Sequence, residues 1–205
     1  MLYFSVVSPG ALELLKSLQK VNELDDFYLV GGTALALKFG HRISIDLDFF
    51  TNNEFDTNNL LMVLSNQFTI AVLAQSKNSI TLDIKGVKVD FIRHNYPLLN
   101  QIELESGIKM ASIADIGAMK INSVLNRGSK KDFFDIYELM HHFQIEELIS
   151  FHTLKYKYST PFLVIKSLVY FEDAELEPDP ISANSTDWQV VKERIIEAVR
   201  ALSNK

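Results

Sequence analysis

The chain has 205 residues, is 47% hydrophobic, and carries 26 acidic and 20 basic residues for a net charge of −6. That content supports a real core in one domain or two small ones, and the acidic balance argues against a protein coating nucleic acid with a generally basic surface, though a local basic patch is compatible with it. With no cysteine there is no disulfide framework or thiolate metal site. The start, Met-Leu-Tyr-Phe-Ser, lacks the basic region of a signal peptide, and no apolar run reaches the roughly 18 residues of a membrane span, so a cytoplasmic location is expected.

Ser8 and Pro9 read as an N-cap followed by proline at the first helical position. Ala11, Leu14, Leu15, Leu18 and Val21 recur at helical spacing and predict a helix ending near Asn22. Asp25 and Asp26 read as solvated turn acids. Phe27 to Val30 predicts a strand that runs into Gly31 and Gly32. A short helix is expected from Thr33 to Phe39, broken by Gly40. The next apolar run alternates, so Ser44, Asp46, Asp48 and Phe50 share one face while Ile43, Ile45, Leu47 and Phe49 form the core face.

Two carboxylates on one strand face repel each other unless a cation lies between them. Hard oxygen ligands suit Mg²⁺. Upstream, the glycines permit a close backbone approach, and the free N–H groups at the start of the Thr33 helix favour an anion. A phosphate cradle beside a metal-binding carboxylate pair suits phosphoryl or nucleotidyl transfer.

A helix is expected from about Asp56 to Asn66, then strands at Phe68 to Gln75, Ser79 to Lys85 and Val87 to Arg93, with turns at Lys77-Asn78 and Gly86. A helix followed by hairpins indicates an α+β domain. A third carboxylate belongs among these strands, and Asp90 and Asp83 share the same local form, each between two apolar residues. Ile108 to Ala111 reads as a short extended piece. Ser112 caps a helix to about Leu125, and Lys120 falls within its apolar stripe. A lysine there either snorkels, forms an ion pair or points into a site. After the break at Asn126-Arg127-Gly128, Ser129 caps a helix to about His142. Asp132 lies on its apolar face, as a capping-box acid or a partner for Lys120. Asp135 falls at the stripe's edge, and His141 and His142 read as solvated or capping residues. Later helices are expected from Ile145 to about Tyr158, from Pro161 to about Phe171, and from about Asp187 to Leu202. Phe171 to Pro180 reads as an acidic loop.

Gly31-Gly32 followed by Asp46-x-Asp48 resembles the signature of the DNA polymerase β-like nucleotidyltransferases. The fuller string, Gly-Gly-Thr-Ala-Leu-x-Leu with Gly-His-Arg-x-Ser-x-Asp-Leu-Asp-Phe-Phe, resembles the AbiEii/AbiGii-type toxin nucleotidyltransferases of abortive-infection and toxin–antitoxin systems. The stretch from Met119 to Tyr137 and the block from Ser167 to Pro178 resemble further motifs of that family, so the resemblance runs from Leu29 to Trp188. It implies a polymerase β-like mixed sheet with flanking helices over residues 1–107, followed by a helical region over 108–205 that packs on the active-site cleft. It also implies Mg²⁺, as a pair of ions, held by Asp46, Asp48 and a third carboxylate, for which it favours Asp90. NTP would be held by Gly31, Gly32 and Thr33, with His41, Arg42 and Ser44 near it. Lys120 would contact the triphosphate. Arg127, Lys131 and Asp132 would serve nucleotide or RNA, with tRNA the favoured acceptor and a cognate antitoxin as partner. Three rivals are a protein or small-molecule acceptor, a regulator that binds NTP without turnover, and a purely structural protein, which would explain neither the Asp-x-Asp pair nor Lys120.

Overall fold

The computed structural model describes residues 1–157, 159–182 and 185–202. The chain forms two compact units: Met1–Gly40, Ser44–Pro97 and Gln101–Ala111 make the first, and His41–Ile43, Leu98–Asn100 and Ser112–Lys205 the second. Among the described residues, no helix is long and apolar enough to cross a membrane.

In the first unit, α1 (Pro9–Leu18) starts where Ser8 Oγ accepts from the Ala11 N–H, 3.3 Å away. It buries Ala11, Leu14, Leu15 and Leu18. It stops before the expected end, and a separate 3-10 turn covers Asn22–Leu24. Strand β1 (Tyr28–Val30) leads directly into α2 (Gly31–Phe39), which Gly40 ends at φ 69°. Strand β2 (Leu47–Thr51) follows, then α3 (Thr57–Ser65), whose first N–H groups are capped by Asp56. Strands β3 (Ile70–Ser76), β4 (Ser79–Ile84) and β5 (Val87–Arg93) come next, then β6 (Glu103–Glu105) and β7 (Ile108–Met110).

These strands form a mixed sheet in the order β3-β4-β5-β2-β1-β7-β6. The β2–β5 and β1–β7 pairs are parallel and the others antiparallel. The period of two puts Leu47, Phe49, Val89, Phe91, Ile80 and Leu82 on the buried side. Phe49 stacks on Phe91 at 5.3 Å, and each such side chain taken from water contributes about 2 kcal/mol. The expected core face was drawn too long, however. Ile43 and Ile45 are 36% and 62% exposed because the regular strand begins only at Leu47. Strand β6 was not anticipated, since its three residues, Glu-Leu-Glu, carry no core-facing pattern and exist through pairing with β7.

The second unit is helical. Its elements are α4 (Ile113–Asn126), α5 (Lys130–Leu139), α6 (Ile145–Lys155), α7 (Pro161–Leu168), α8 (Glu172–Glu175) and α9 (Trp188–Leu202). Ser112 Oγ accepts from the Asp115 N–H to start α4. A Cβ on Gly117 would come within 3.1 Å of Leu148, so α4 and α6 pack closely there. The expected end of α6 at Tyr158 lies outside the described residues. The acidic stretch after Phe171 is not simply a solvated loop. It contains α8, buries Ala174, and places Phe171 against Phe133 and Trp188.

Candidate active site

The first unit gathers seven of the expected site residues. Strands β2 and β5 run parallel with Asp48 opposite Asp90, and Thr81 stands opposite Asp90 on β4. Neighbouring strands lie about 4.8 Å apart, so the two carboxylates are within reach of one cation. Asp83 lies two register positions away, opposite Lys88, and its carboxylate accepts from the Gly86 N–H at 2.8 Å, closing the β4–β5 turn. Asp46 sits just before β2.

Gly31 explains the glycine pair. Its φ is +69°, and a Cβ there would lie 2.3 Å from Asp48 Oδ2. Only glycine fits both the backbone conformation and the approach of that carboxylate. Helix α2 starts at Gly31, two residues before the expected start, so the N–H groups of Gly31, Gly32 and Thr33 are the orphan donors of its first turn. The Thr33 hydroxyl bonds the Ser44 hydroxyl at 2.8 Å and donates to the Asp46 carbonyl. Both side chains are buried, and together they brace the beginning of α2 against the segment that carries Asp46.

One cation stands on this face. Lys88 Nζ donates to Asp90 Oδ2, and the Thr81 hydroxyl donates to Asp90 Oδ1. Burial works against the Lys88 ammonium. The hydrogen bond and charge of Asp90, with the fields of Asp48 and Asp46, outweigh it and raise its pKa. The clue in the sequence is spacing: Lys88 is two residues before Asp90 and shares its face.

This donor set suits a hard divalent cation. Its ligand atoms are carboxylate oxygens, two of the three acids stand in register, and an ammonium already draws the attraction of all three. Among the described residues no closed group of three ligands stands ready-made. The Asp90 oxygens are occupied by Lys88 and Thr81, so ion binding requires the Lys88 ammonium to yield.

The second unit holds the remaining expected residues in a different kind of cluster. Asp135 is its hub and is fully buried. Its Oδ1 accepts from Arg42 Nε at 2.7 Å and lies 2.7 Å from His41 Nε2, while Oδ2 accepts from Arg42 Nη2 at 2.8 Å and meets Lys120 Nζ at 2.7 Å. Lys120 Nζ also lies 3.0 Å from Asp132 Oδ1. Asp132 in turn accepts from Arg127 Nε at 2.9 Å and from the Ser129 hydroxyl at 2.8 Å. That hydroxyl donates to the acid rather than capping the helix, so the expected capping box does not form.

Burial alone would raise both carboxylates, but Arg42 and Lys120 hold Asp135 well below the usual range, and Lys120 with Arg127 lowers Asp132. Burial would likewise discharge Lys120, yet Asp135 and Asp132 raise its pKa. His41 and Arg42, in the loop between α2 and β2, are therefore buried ion-pair members, and the Lys120 ammonium sits between two acids. Lys131 is exposed. Asp135 was underrated because helix projection places it at the stripe's edge. Its spacing of three from Asp132 was the available signal, since residues three apart neighbour each other on a helix.

A family model described as the nucleotidyl transferase AbiEii toxin of type IV toxin–antitoxin systems matches residues 13–70 and 60–203. An uncharacterized protein of Aquifex aeolicus is 40% identical over 171 residues, covering 79% of this chain and 83% of its own. Two solved structures are similar in fold. JHP933 from Helicobacter pylori is 21% identical with a TM-score of 0.54, covering 97% of this chain and 98% of that one. MenT4, a nucleotidyltransferase toxin from Mycobacterium tuberculosis H37Rv, is 15% identical with a TM-score of 0.55, covering 91% and 83%. With its carboxylate face, its glycine-started helix and a family match over most of its length, the chain belongs to the AbiEii nucleotidyltransferase toxins.

Proposed function

We propose that this nucleotidyltransferase moves NMP from an NTP to a hydroxyl of tRNA, using Mg²⁺ at Asp46, Asp48 and Asp90, and that it is a toxin held in check by a cognate antitoxin. The observation that carries the site is the register of Asp48 with Asp90, beside a helix whose first residue must be glycine to admit Asp48. Bound there, Mg²⁺ would offset the negative charge of the triphosphate and of the departing pyrophosphate. The N–H groups of Gly31, Gly32 and Thr33 bind phosphate oxygens at the positive end of α2. Asp90 orients the acceptor hydroxyl and takes its proton. The hydroxyl oxygen bonds to the α-phosphorus, the bond to the bridging oxygen breaks, and pyrophosphate leaves with that electron pair.

In the second unit, Arg127 and Lys131 are the cations we assign to substrate phosphates, since both are exposed. Lys120 acts one step back. Its ammonium holds Asp132, which orients the Arg127 fork, while Asp135 with His41 and Arg42 fixes Lys120. Incubation with Mg²⁺, each α-labelled NTP and total tRNA tests the proposal. Label should appear in RNA with one NTP and be lost in Asp48→Asn. Mg²⁺-dependent NTP binding without transfer to RNA would overturn the tRNA acceptor in favour of a protein, a small molecule or no turnover.

A further inference from the structure

The second unit contains a groove of about 460 Å³ between the end of α4 and the end of α7, within the range of small-ligand sites. Its lining is chemically divided. Lys166 and Arg127 supply positive charge, Tyr170 supplies an aromatic ring, and Asp173 supplies a carboxylate. Leu163 and Val124 add apolar wall. Tyr170 is 47% and Leu163 49% exposed, while the Val124 side of the groove is buried core. The phenol of Tyr170 donates to Glu172 Oε2 at 3.1 Å, which anchors its edge and restrains the ring. Arg127 is held by Asp132 yet keeps more than half its side chain in solvent.

We infer that this groove seats one nucleotide of single-stranded RNA, with its base against Tyr170, its phosphate on Lys166 and Arg127, and an exocyclic amine of the base donating to Asp173. This rests on the RNA acceptor proposed above and adds a place where that RNA is held. An aromatic face binds any base by stacking. A carboxylate accepts from the amine of cytosine or adenine and repels the carbonyl of uracil at the same position. Two cations suffice for one phosphate in a chain whose net charge is −6, since a local patch is all that one nucleotide requires.

The test uses the full chain carrying Asp48→Asn, so that binding is read without transfer, and fluorescent oligocytidylate and oligouridylate as probes. Oligocytidylate should bind more tightly than oligouridylate, and Asp173→Asn should narrow that gap. Tyr170→Ala should weaken oligocytidylate about tenfold, while Tyr170→Phe keeps it, and NTP affinity, read with Asp48 in place, stays unchanged in both. Lys166→Gln should reduce the salt slope of RNA binding by about 0.7. RNA binding that Tyr170→Ala leaves intact overturns the groove but leaves the acceptor proposal standing. An Asp48→Asn chain that binds neither probe overturns the groove and removes support for an RNA acceptor. A loss of NTP affinity in Tyr170→Ala, with RNA unaffected, reassigns the groove to a free nucleotide and overturns the inference.

Discussion

The two charged clusters of this protein use similar residues to opposite ends. On the first unit's sheet, Asp46, Asp48 and Asp90 face one lysine, Lys88, and the lysine is 47% exposed. In the second unit, Asp132 and Asp135 are matched by Lys120, Arg42 and Arg127, with His41 alongside, and both acids are fully buried. A buried charge persists only when paired and hydrogen-bonded, and each acid of the second cluster is held by two cations. The first is acid-rich and half open to solvent, so its summed negative charge draws a cation. Excess charge at a reachable surface is a chemical resource, whereas matched charge in the interior is architecture.

Neutralising one acid in each cluster should separate these roles most sharply. Asp48→Asn should cut nucleotidyl transfer by about 10³-fold and leave the melting temperature unchanged or slightly higher, because it relieves repulsion. Asp135→Asn leaves Lys120, Arg42 and His41 sharing a neutral partner in the interior, at a cost of about 3–5 kcal/mol. Thermal or urea unfolding measures the second effect, and transfer of labelled NMP measures the first. A strong loss of stability in Asp48→Asn, or none in Asp135→Asn, would break the distinction.

Gly31→Ala probes how tightly the carboxylate face is fitted to its helix. The added methyl meets Asp48 Oδ2 at 2.3 Å, and the backbone must keep φ at +69°. A cost of about 1–2 kcal/mol in stability is expected from the backbone alone. Transfer should fall further than the folded fraction does, because Asp48 has to move. Equal losses would mean that Asp48 relaxes without consequence for its chemistry.

Acid separates the second unit's interior into two stages. Burial lowers the pKa of His152 to about 4, and its Nδ1 has no hydrogen-bond partner among the described residues. Between pH 6.5 and about 4 the unfolded chain takes up a proton that the folded chain does not, so stability falls as pH falls. The lowered carboxylates of Asp132 and Asp135 act in the same direction but at more acid pH. Their contribution is complete above the unfolded carboxylate value of about 3.9 and is lost as pH drops through the folded values. The melting temperature should therefore decline by several degrees across the first window, and His152→Gln should flatten that window while leaving the steeper acid loss in place.

What could be read from residues alone divides along the same line. The glycine pair, the Asp46/Asp48 face and the β4–β5 hairpin follow from local period and turn chemistry, which adjacent residues determine. The α+β class was also legible, since a helix followed by alternating strands leaves few arrangements. The Asp135 hub was not, because its Arg42 and His41 partners lie more than 90 positions away, and no periodicity links a loop before β2 to a helix beyond the sheet. Strand β6 depends on a partner in the same way. Lys120 shows an intermediate case. Its place in an apolar stripe signalled a partner, and helix projection offered Asp132, but the second acid emerged only from the fold.

The smallest expected effect concerns Lys88, and it tests whether the acid-rich face truly wants a cation. Its ammonium bonds Asp90 and feels all three acids, so it competes with any metal for the same oxygens. Removing it in Lys88→Gln should tighten Mg²⁺ binding by a few-fold, in keeping with the roughly 0.2–1 kcal/mol of an exposed pair. Titration calorimetry on the nucleotide-free chain reads this directly, apart from any turnover. The same variant should lose little stability, since the pair is half exposed and such pairs contribute only about 0.2–1 kcal/mol. If Mg²⁺ instead binds more weakly, Lys88 is positioning Asp90 as a ligand rather than competing for it. The lysine would then belong with Lys120, as a charge that orders an acid, and the contrast between the two clusters would narrow to burial alone.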